Sequence, residues 1–366
     1  MTAIDISTPV AHIEPSAPPK PPRKPILHLF FGDLVASVLT VTTGFLLMLM
    51  IPALNWAVLD AVWLAHDPST CREGGACWAF ITAKFRFIIF GVYPPEEQWR
   101  PLLVTGLILT MSLTSLSPRL WGKKKLIYTW VSAVAVMLIL MWGGVFGMTP
   151  VPTSSWGGLP ITLLLALLSL SLGFPFAVFL ALGRRSTLPI PRLLSLLTIE
   201  LVRGLPLVGL LFVASILLPL LLPASWSIDK LGRTLAALTV FAAAYLAEVI
   251  RGGLQGIPAG QIEAAKALGI PSWKAAWHIV LPQALQKVIP PLTNTAIVMV
   301  KNTSLVLIVG VFDMLSASRV AATDPLWPAP YVESYVFVAL IYFLICFGIS
   351  NYSRWLECRV QSRSYR

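Results

Sequence analysis

An all-α integral membrane protein of about eight transmembrane helices is the fold class that three features of the sequence predict. The 366 residues are 57% hydrophobic and only 12% charged, with a mean hydropathy of +0.79, which is far more apolar than soluble globular chains. The apolar residues gather into runs near the roughly 20 residues that span a hydrocarbon core about 30 Å thick. The runs also lack the short alternating pattern of a membrane barrel, so no strand assignment competes.

In chain order the runs cover approximately Leu34–Ala53, Pro101–Leu116, Leu126–Phe146, Leu159–Leu182, Pro191–Leu222, Leu231–Ile250, Val288–Val311 and Val332–Tyr352. The second is short and the fifth is longer than one crossing needs. Basic residues in short loops stay on the cytoplasmic side. Lys20, Arg23 and Lys24 precede the first run. Arg119 and Lys123, Lys124 and Lys125 follow the second, and Arg184, Arg185 and Arg192 separate the fourth from the fifth. With Arg354, Arg359, Arg363 and Arg366 after the last run, both termini are expected in the cytoplasm. The net charge of +11 is therefore read as topology. Nucleic-acid binding would need a basic stripe on a soluble domain, and the sequence has none.

The first 25 residues or so are rich in proline and small polar residues and resemble neither a signal peptide nor a folded unit. Residues 1–30 are expected to form a disordered cytoplasmic tail, with the first span as an uncleaved signal anchor. Residues 31–155 would hold three accessory spans with an outer loop at about 54–100. A five-span core is expected over 156–355, and a basic tail over 356–366. In the outer loop, Cys71 and Cys77 of CREGGAC face an oxidising compartment, where a disulfide between them is plausible. Two free thiols remain the alternative, because spacing alone does not fix bridge geometry.

The three accessory spans carry few polar side chains and read as a scaffold. The core carries ionisable residues at or near membrane depth, which are costly in lipid and tend to face an interior path. It also contains a short echo, Glu200-Leu201-Val202-Arg203-Gly204 and Glu248-Val249-Ile250-Arg251-Gly252. Each E-x-x-R-G places carboxylate and guanidinium on one helix face, where they can neutralise one another. Snorkelling to the inner headgroups is the competing account, chiefly for Glu248 and Arg251. Gly204 and Pro206 directly after the deeper pair mark the fifth span as a pathway candidate, since proline frees a backbone carbonyl that a neighbour or water must satisfy.

The segment from Gly256 to Pro291, within a cytoplasmic loop at about 253–290, is too polar to span. Pro258 can open a short helix, the residues up to Leu268 are good helix formers, and Gly269 stands where a left-handed cap is wanted. Pro271 and Ser272 restart a second helix with Trp273, Ala276, Trp277 and Val280 on one side, and Pro282 is expected to disrupt its continuation. Two short helices at a glycine elbow make a wedge. It could transmit motion from a separate machine or lie on the headgroups as an interfacial pair.

Glu263-Ala264-Ala265, then Gly269, then Ile279, Leu281 and Pro282 reproduce EAA-x3-G-x9-I-x-L-P, the EAA loop of bacterial ABC importer permeases, at every keyed position. The loop resembles that family's coupling helix, which docks on an ATPase subunit. The resemblance therefore implies a type I importer core of five helices over about 155–355. AYLAEVIRGG, ELVRGLPL and KNTSL are similar to the polar amino-acid (histidine-permease-like) branch. Leu205 departs from the branch's frequent Thr, and Asn302 from its common Asp. CREGGAC with FRFIIFGVYPPEEQWRP resembles the M-type permease of general L-amino-acid transporters.

The resemblance implies a second homologous permease as a heteromeric partner, two ATPase subunits below and a periplasmic amino-acid-binding protein above. The sequence has no P-loop motif. ATP and Mg would sit on the partner ATPase, and no cofactor, metal site or catalytic residue is expected in this chain. Within the seventh span Asn294, Val298, Lys301, Asn302 and Leu305 recur at helical spacing. Asn294, Thr295, Lys301, Asn302 and Ser304, with Glu200, are the candidate substrate-pathway residues. Interhelical hydrogen bonds and snorkelling are the competing roles. An ion-gradient-driven secondary transporter, or a non-transporting scaffold, would leave the wedge without a task.

Overall fold

The computed structural model describes residues 30–64, 67–72, 74–115, 117, 123–221, 223 and 228–364. The expected tail lies outside the described residues through position 29, as do Lys20, Arg23, Lys24, Arg119 and Arg366 of the basic clusters. The chain forms two units, Met1–Asp60 and Ala61–Arg366. In the first, helix α1 (Leu34–Leu54) begins where the Asp33 carboxylate accepts the Ala36 N–H at 2.7 Å, satisfying one of the donors that a helix start leaves free. Pro52 lacks a backbone donor, and α1 passes just beyond it into a π turn, Asn55–Leu59.

The second unit contains α2 (Trp78–Phe90), α3 (Trp99–Thr114), α4 (Lys123–Trp142), α5 (Gly158–Arg184) and α6 (Pro189–Gly204). Next come α7 (Leu207–Phe212), prolonged through a π turn at Val213–Leu217 to Leu221, and α8 (Lys230–Gln255). The polar loop follows as α9 (Ala259–Ala267), α10 (Ser272–Ala275) and α11 (Leu281–Lys287). The chain closes with α12 (Ile289–Asn302), which tightens into a 3₁₀ segment at Thr303–Val309, then α13 (Met314–Ala321) and α14 (Tyr331–Ser364).

Among the described residues, six helices are long and apolar enough to cross a membrane, and a bent pair brings the number to seven at most. The expected eight is thereby corrected at two places. Helix α3, the expected second span, has 16 residues, or about 24 Å at 1.5 Å per residue, short of a hydrocarbon core of about 30 Å. The expected fifth span is two helices, α6 and α7, bent by 105°. Proline disfavours helical backbone in the residue before it, and Leu205, preceding Pro206, is extended at φ −93 and ψ 137. The basic segment after residue 355 is the continuation of α14 as far as Ser364.

Helices α5 and α8 pack together at the centre. A Cβ on Gly173 would stand 3.1 Å from the Ala242 Cβ, and Ala237, Ala242, Ala243, Ala244 and Ala247 are all buried on α8. Small residues let backbones approach where lipid offers no hydrophobic drive, so contact energy holds these helices. Two parallel bridges, Gly157 with Phe312 and Gly158 with Asp313, pin the start of α5 to the segment after α12.

No break in packing marks residue 155, because α2 lies against α5 and α13, and α3 against α5. A disulfide joins Cys71 to Cys77, and the Cys77 N–H donates to the buried Glu333 carboxylate on α14 at 2.7 Å. Lys84 pairs with Asp324 at 2.5 Å and Phe80 meets Trp327 edge to face. Arg100, 1% exposed, pairs with Glu97 and donates to the Thr149 carbonyl at 2.7 Å. Residues 61–155 thus brace one end of the core through buried polar contacts as well as apolar ones.

Candidate functional site

At the end of α8, Gly253 lets the loop fold back closely. A Cβ there would meet Val288 Cγ1 at 2.6 Å and the Ala284 carbonyl oxygen at 2.9 Å. The Lys287 ammonium donates to the Gly256 carbonyl at 2.8 Å, satisfying an acceptor that the end of α8 leaves free. Helices α9 and α10 then stand beyond this base as the wedge.

The elbow between them is a Schellman cap. Gly269 has φ +69, its N–H donates to the Lys266 carbonyl, and the Ile270 N–H donates to the Ala265 carbonyl, both at 2.9 Å. Both bonds answer carbonyls left over at the end of α9. A side chain at Gly269 would meet nothing within 4 Å, so backbone conformation rather than space sets the requirement for glycine. Ala265 is buried, whereas Glu263, Ala264, Leu268 and Gly269 are exposed. The motif divides into an inward anchor and an outward tip.

The second arm differs from expectation. Pro282 does not end it; the helix passes through a π turn at Ala276–Val280 and continues to Lys287. The wider turn accommodates a residue that cannot donate its backbone nitrogen. Val280 and Leu281 are buried and Ile279 is half-buried, while Trp273 is 61% exposed under the Lys274 ammonium. Trp277 packs edge to face on Phe179 of α5. The apolar anchors of this arm are therefore Ala275, Val280, Leu281 and Ala284; of the face that the spacing suggested, Val280 is buried, Ala276 half-buried, and Trp273 and Trp277 exposed.

Above the wedge base, the echo forms a single cluster instead of two separate pairs. Arg251 grips Glu248 through Nε at 2.9 Å and Nη2 at 2.5 Å. Glu200 does not pair with Arg203. It accepts Arg184 at 2.8 Å, and the same guanidinium reaches Glu248 at 2.9 Å. Arg203 approaches Glu248 at 3.8 Å and lies over the Tyr245 ring. The sequence pattern missed Arg184 as the hub because it lies 16 residues before Glu200, in a basic cluster already explained by topology. Helices α5, α6 and α8 are tied by three cations sharing two carboxylates, beside the origin of the wedge.

On α12, Asn294, Val298 and Lys301 are exposed along one face. Lys301 lies 12 positions into the helix, about 18 Å along its axis, and makes no ion pair among the described residues. Thr295 is instead buried and donates to the Pro291 carbonyl at 3.0 Å, and Ser304 donates to the Lys301 carbonyl at 2.8 Å. Asn302 is half-buried. The six pathway candidates therefore separate into an open pair, Asn294 and Lys301, and four residues turned elsewhere or already engaged. An apolar cavity of about 240 Å³ between Leu138, Trp156, Ile161, Leu165 and Leu235 offers a polar solute little to bind.

Comparison with known proteins agrees with this arrangement. Residues 173–362 match the family model of the binding-protein-dependent transport system inner membrane component. The chain is 44% identical to the inner membrane amino-acid ABC transporter permease protein YhdY of Escherichia coli, over 90% of each chain. It is 33% identical to the glutamate/glutamine/aspartate/asparagine transport system permease protein BztC of Rhodobacter capsulatus, covering 91% of this chain and 92% of that one. A crystal structure of an amino acid ABC transporter with histidines superposes with a TM-score of 0.50 at 31% identity, over 55% of this chain and 92% of its own. A wedge carrying the full EAA pattern, an all-helical membrane core and these matches lead to one assignment: the chain belongs to the inner membrane components of binding-protein-dependent transport systems, multi-pass permease subunits of ABC importers whose ATPase is a separate chain.

Proposed function

We propose that this permease moves L-amino acids from periplasm to cytoplasm by alternating access, driven through its EAA loop by ATP hydrolysis on two partner ATPase subunits. Both termini are then cytoplasmic, as the basic clusters require. A periplasmic amino-acid-binding protein delivers the solute, and a second homologous permease completes the pore as a heterodimer of the M-type arrangement. The observation that carries this assignment is the wedge, in which Glu263, Ala264 and Gly269 are exposed around a rigid cap while Ala265, Ile279, Leu281 and Pro282 hold it to the base. Closure of the ATPases pushes the two wedges together and shifts the populations of inward- and outward-facing states.

The solute path runs along the open face of α12. An unpaired cation deep in an apolar helix is costly facing lipid, and an amino acid supplies a carboxylate for Lys301 while Asn294 offers both a donor and an acceptor. Purification of the complex from its native membrane, with mass spectrometry and an ATPase assay, tests the engine. A co-purifying P-loop ATPase, a second permease and hydrolysis stimulated by the binding protein are expected. Activity of the chain alone under an ion gradient would overturn the assignment. Asn294→Ala and Lys301→Ala should each lower uptake roughly tenfold, on the scale of a lost charge-assisted hydrogen bond. Unchanged uptake and solute preference in well-expressed variants would remove α12 from the path.

A further inference from the structure

We propose that Arg233 and Ser215 form a carboxylate-binding site for the transported amino acid, at the end of the permease opposite the EAA loop; the inference rests on the amino-acid function proposed above. Arg233 stands on the first turn of α8, 22 positions before Gln255 and so about 33 Å from the wedge base along the helix. The span pattern absorbed it unremarked, as the third residue of the apolar run beginning at Leu231.

Its surroundings are those of a donor set without an acceptor. Nη1 donates to the Ser215 carbonyl at 2.9 Å, and Ser215 lies in the π turn that prolongs α7. The Arg233 Nε and the Ser215 Oγ are both buried, and neither has a hydrogen-bond partner among the described residues. No carboxylate lies within ion-pair distance of Arg233 among the described residues. The nearest acid in sequence, Asp229, accepts the Leu231 N–H as the cap of α8. Lys230 adds a second positive charge at i−3, on the same face of α8, and its ammonium lies beside Gly310, after α12.

Buried unsatisfied donors are rare, and a charged one is the least tolerable. With Nη1 engaged by the Ser215 carbonyl, the Nε and Nη2 edge remains, and that edge of a guanidinium can donate to both oxygens of one carboxylate. The Ser215 hydroxyl, buried and without a partner among the described residues, is a further donor beside that carbonyl. π turns recur at functional sites because they re-aim a short stretch of helix, and this one presents the Ser215 carbonyl to Arg233. A phospholipid phosphate presents the same oxyanion chemistry; the substrate carboxylate is the occupant argued here because the orphaned donors are buried within the protein, between α7 and α8.

The test is made on the complete transporter in proteoliposomes, with its ATPase and binding protein, fed a radiolabelled mixture of L-amino acids. The readout is molecules imported per ATP hydrolysed for wild type, Arg233→Gln, Arg233→Lys and Ser215→Ala. Arg233→Gln should lower that ratio tenfold or more, Arg233→Lys should retain more of it than the glutamine variant, and Ser215→Ala should lower it about threefold. A wild-type ratio in Arg233→Gln overturns the site. So does a parallel fall in uptake and hydrolysis that leaves the ratio unchanged, which is the mark of a merely structural arginine. A defect present in phosphatidylglycerol vesicles and absent in phosphatidylcholine vesicles assigns Arg233 to a headgroup and also overturns it. Wild type that imports no amino acid refutes the function proposed above, whereas wild type that imports amino acids alongside an unaffected Arg233→Gln refutes this inference alone.

Discussion

The two ends of the core are held by opposite means. At the wedge end, Glu263, Leu268 and Gly269 are exposed, and the elbow is fixed by its own backbone cap and the buried Ala265. At the other end, a buried Glu333, the Lys84–Asp324 pair and aromatic contacts fasten residues 61–155 to α14 and the loop before it, beside a disulfide that closes the local loop from Cys71 to Cys77. A segment that must be pushed by another protein needs local rigidity and a free outer face. A segment that must stay still needs links across long sequence separations, and this division between lever and brace is what the mutations below are chosen to break or sharpen.

The largest effect on transport is expected from Gly269→Val. A β-branched residue at φ +69 is strained by about 1 to 3 kcal/mol, and the open space around the position offers no compensating contact. Uptake should be nearly lost, and ATP hydrolysis in the reconstituted complex should stop responding to the binding protein. Retention of wild-type coupling would mean the elbow is not the lever. Next comes Glu248→Ala, which leaves Arg184, Arg251 and Arg203 without their shared acceptor. Breaking a fully buried pair costs about 3 to 5 kcal/mol, and partial exposure of these side chains brings the expectation to about 1 to 3 kcal/mol. A lowered melting temperature with reduced uptake should result, and a melting curve identical to wild type would show the cluster to be ornamental to stability.

Legibility in the sequence follows the range of the interaction. The EAA wedge could be read because its determinants are local: a proline start, a glycine with positive φ and a fixed spacing. Six long spans, including α5 and α8, were visible as apolar runs for the same reason. The bend at Leu205 was half visible, since Pro206 marked a perturbation but the direction of the chain beyond it depends on packing. Arg184 as a hub and Arg233 as an orphaned donor were hidden, because pairings across 16 to 64 positions leave no periodic trace. Pro282 misled for a physical reason: one π turn absorbs a missing donor that the pattern treats as a stop.

Replacing both bridged cysteines, Cys71→Ser with Cys77→Ser, probes the brace. Closing so short a loop contributes about 2 kcal/mol in a chain-entropy estimate, and the Cys77 N–H bond to Glu333 loses its anchor. The double variant should melt several degrees lower with uptake largely retained at moderate temperature. Loss of transport in a variant that still assembles and melts cooperatively would give the brace a moving part.

The smallest effect concerns Lys84 and Asp324, which lie outside the spans. The hydrogen bond from Lys84 is the chief reason that the Asp324 carboxyl is held below its ordinary value of 3.8. A carboxylate whose folded pKa is depressed adds stability above its unfolded value and loses it as pH falls through the folded one. Asp324→Asn should therefore lower the melting temperature slightly at pH 7 and at pH 5, and the gap from wild type should close as the pH is taken below about 4. The effect is small because the pair is partly exposed and screened by salt, and it should shrink further at high ionic strength. A gap that persists unchanged at pH 3 would mean that Asp324 acts through packing rather than through its charge, since asparagine can also accept the Leu326 N–H. The brace would then be held by the aromatic contact of Phe80 with Trp327 and by the bond from the Cys77 N–H to Glu333, with the ion pair fixing only the orientation of α2.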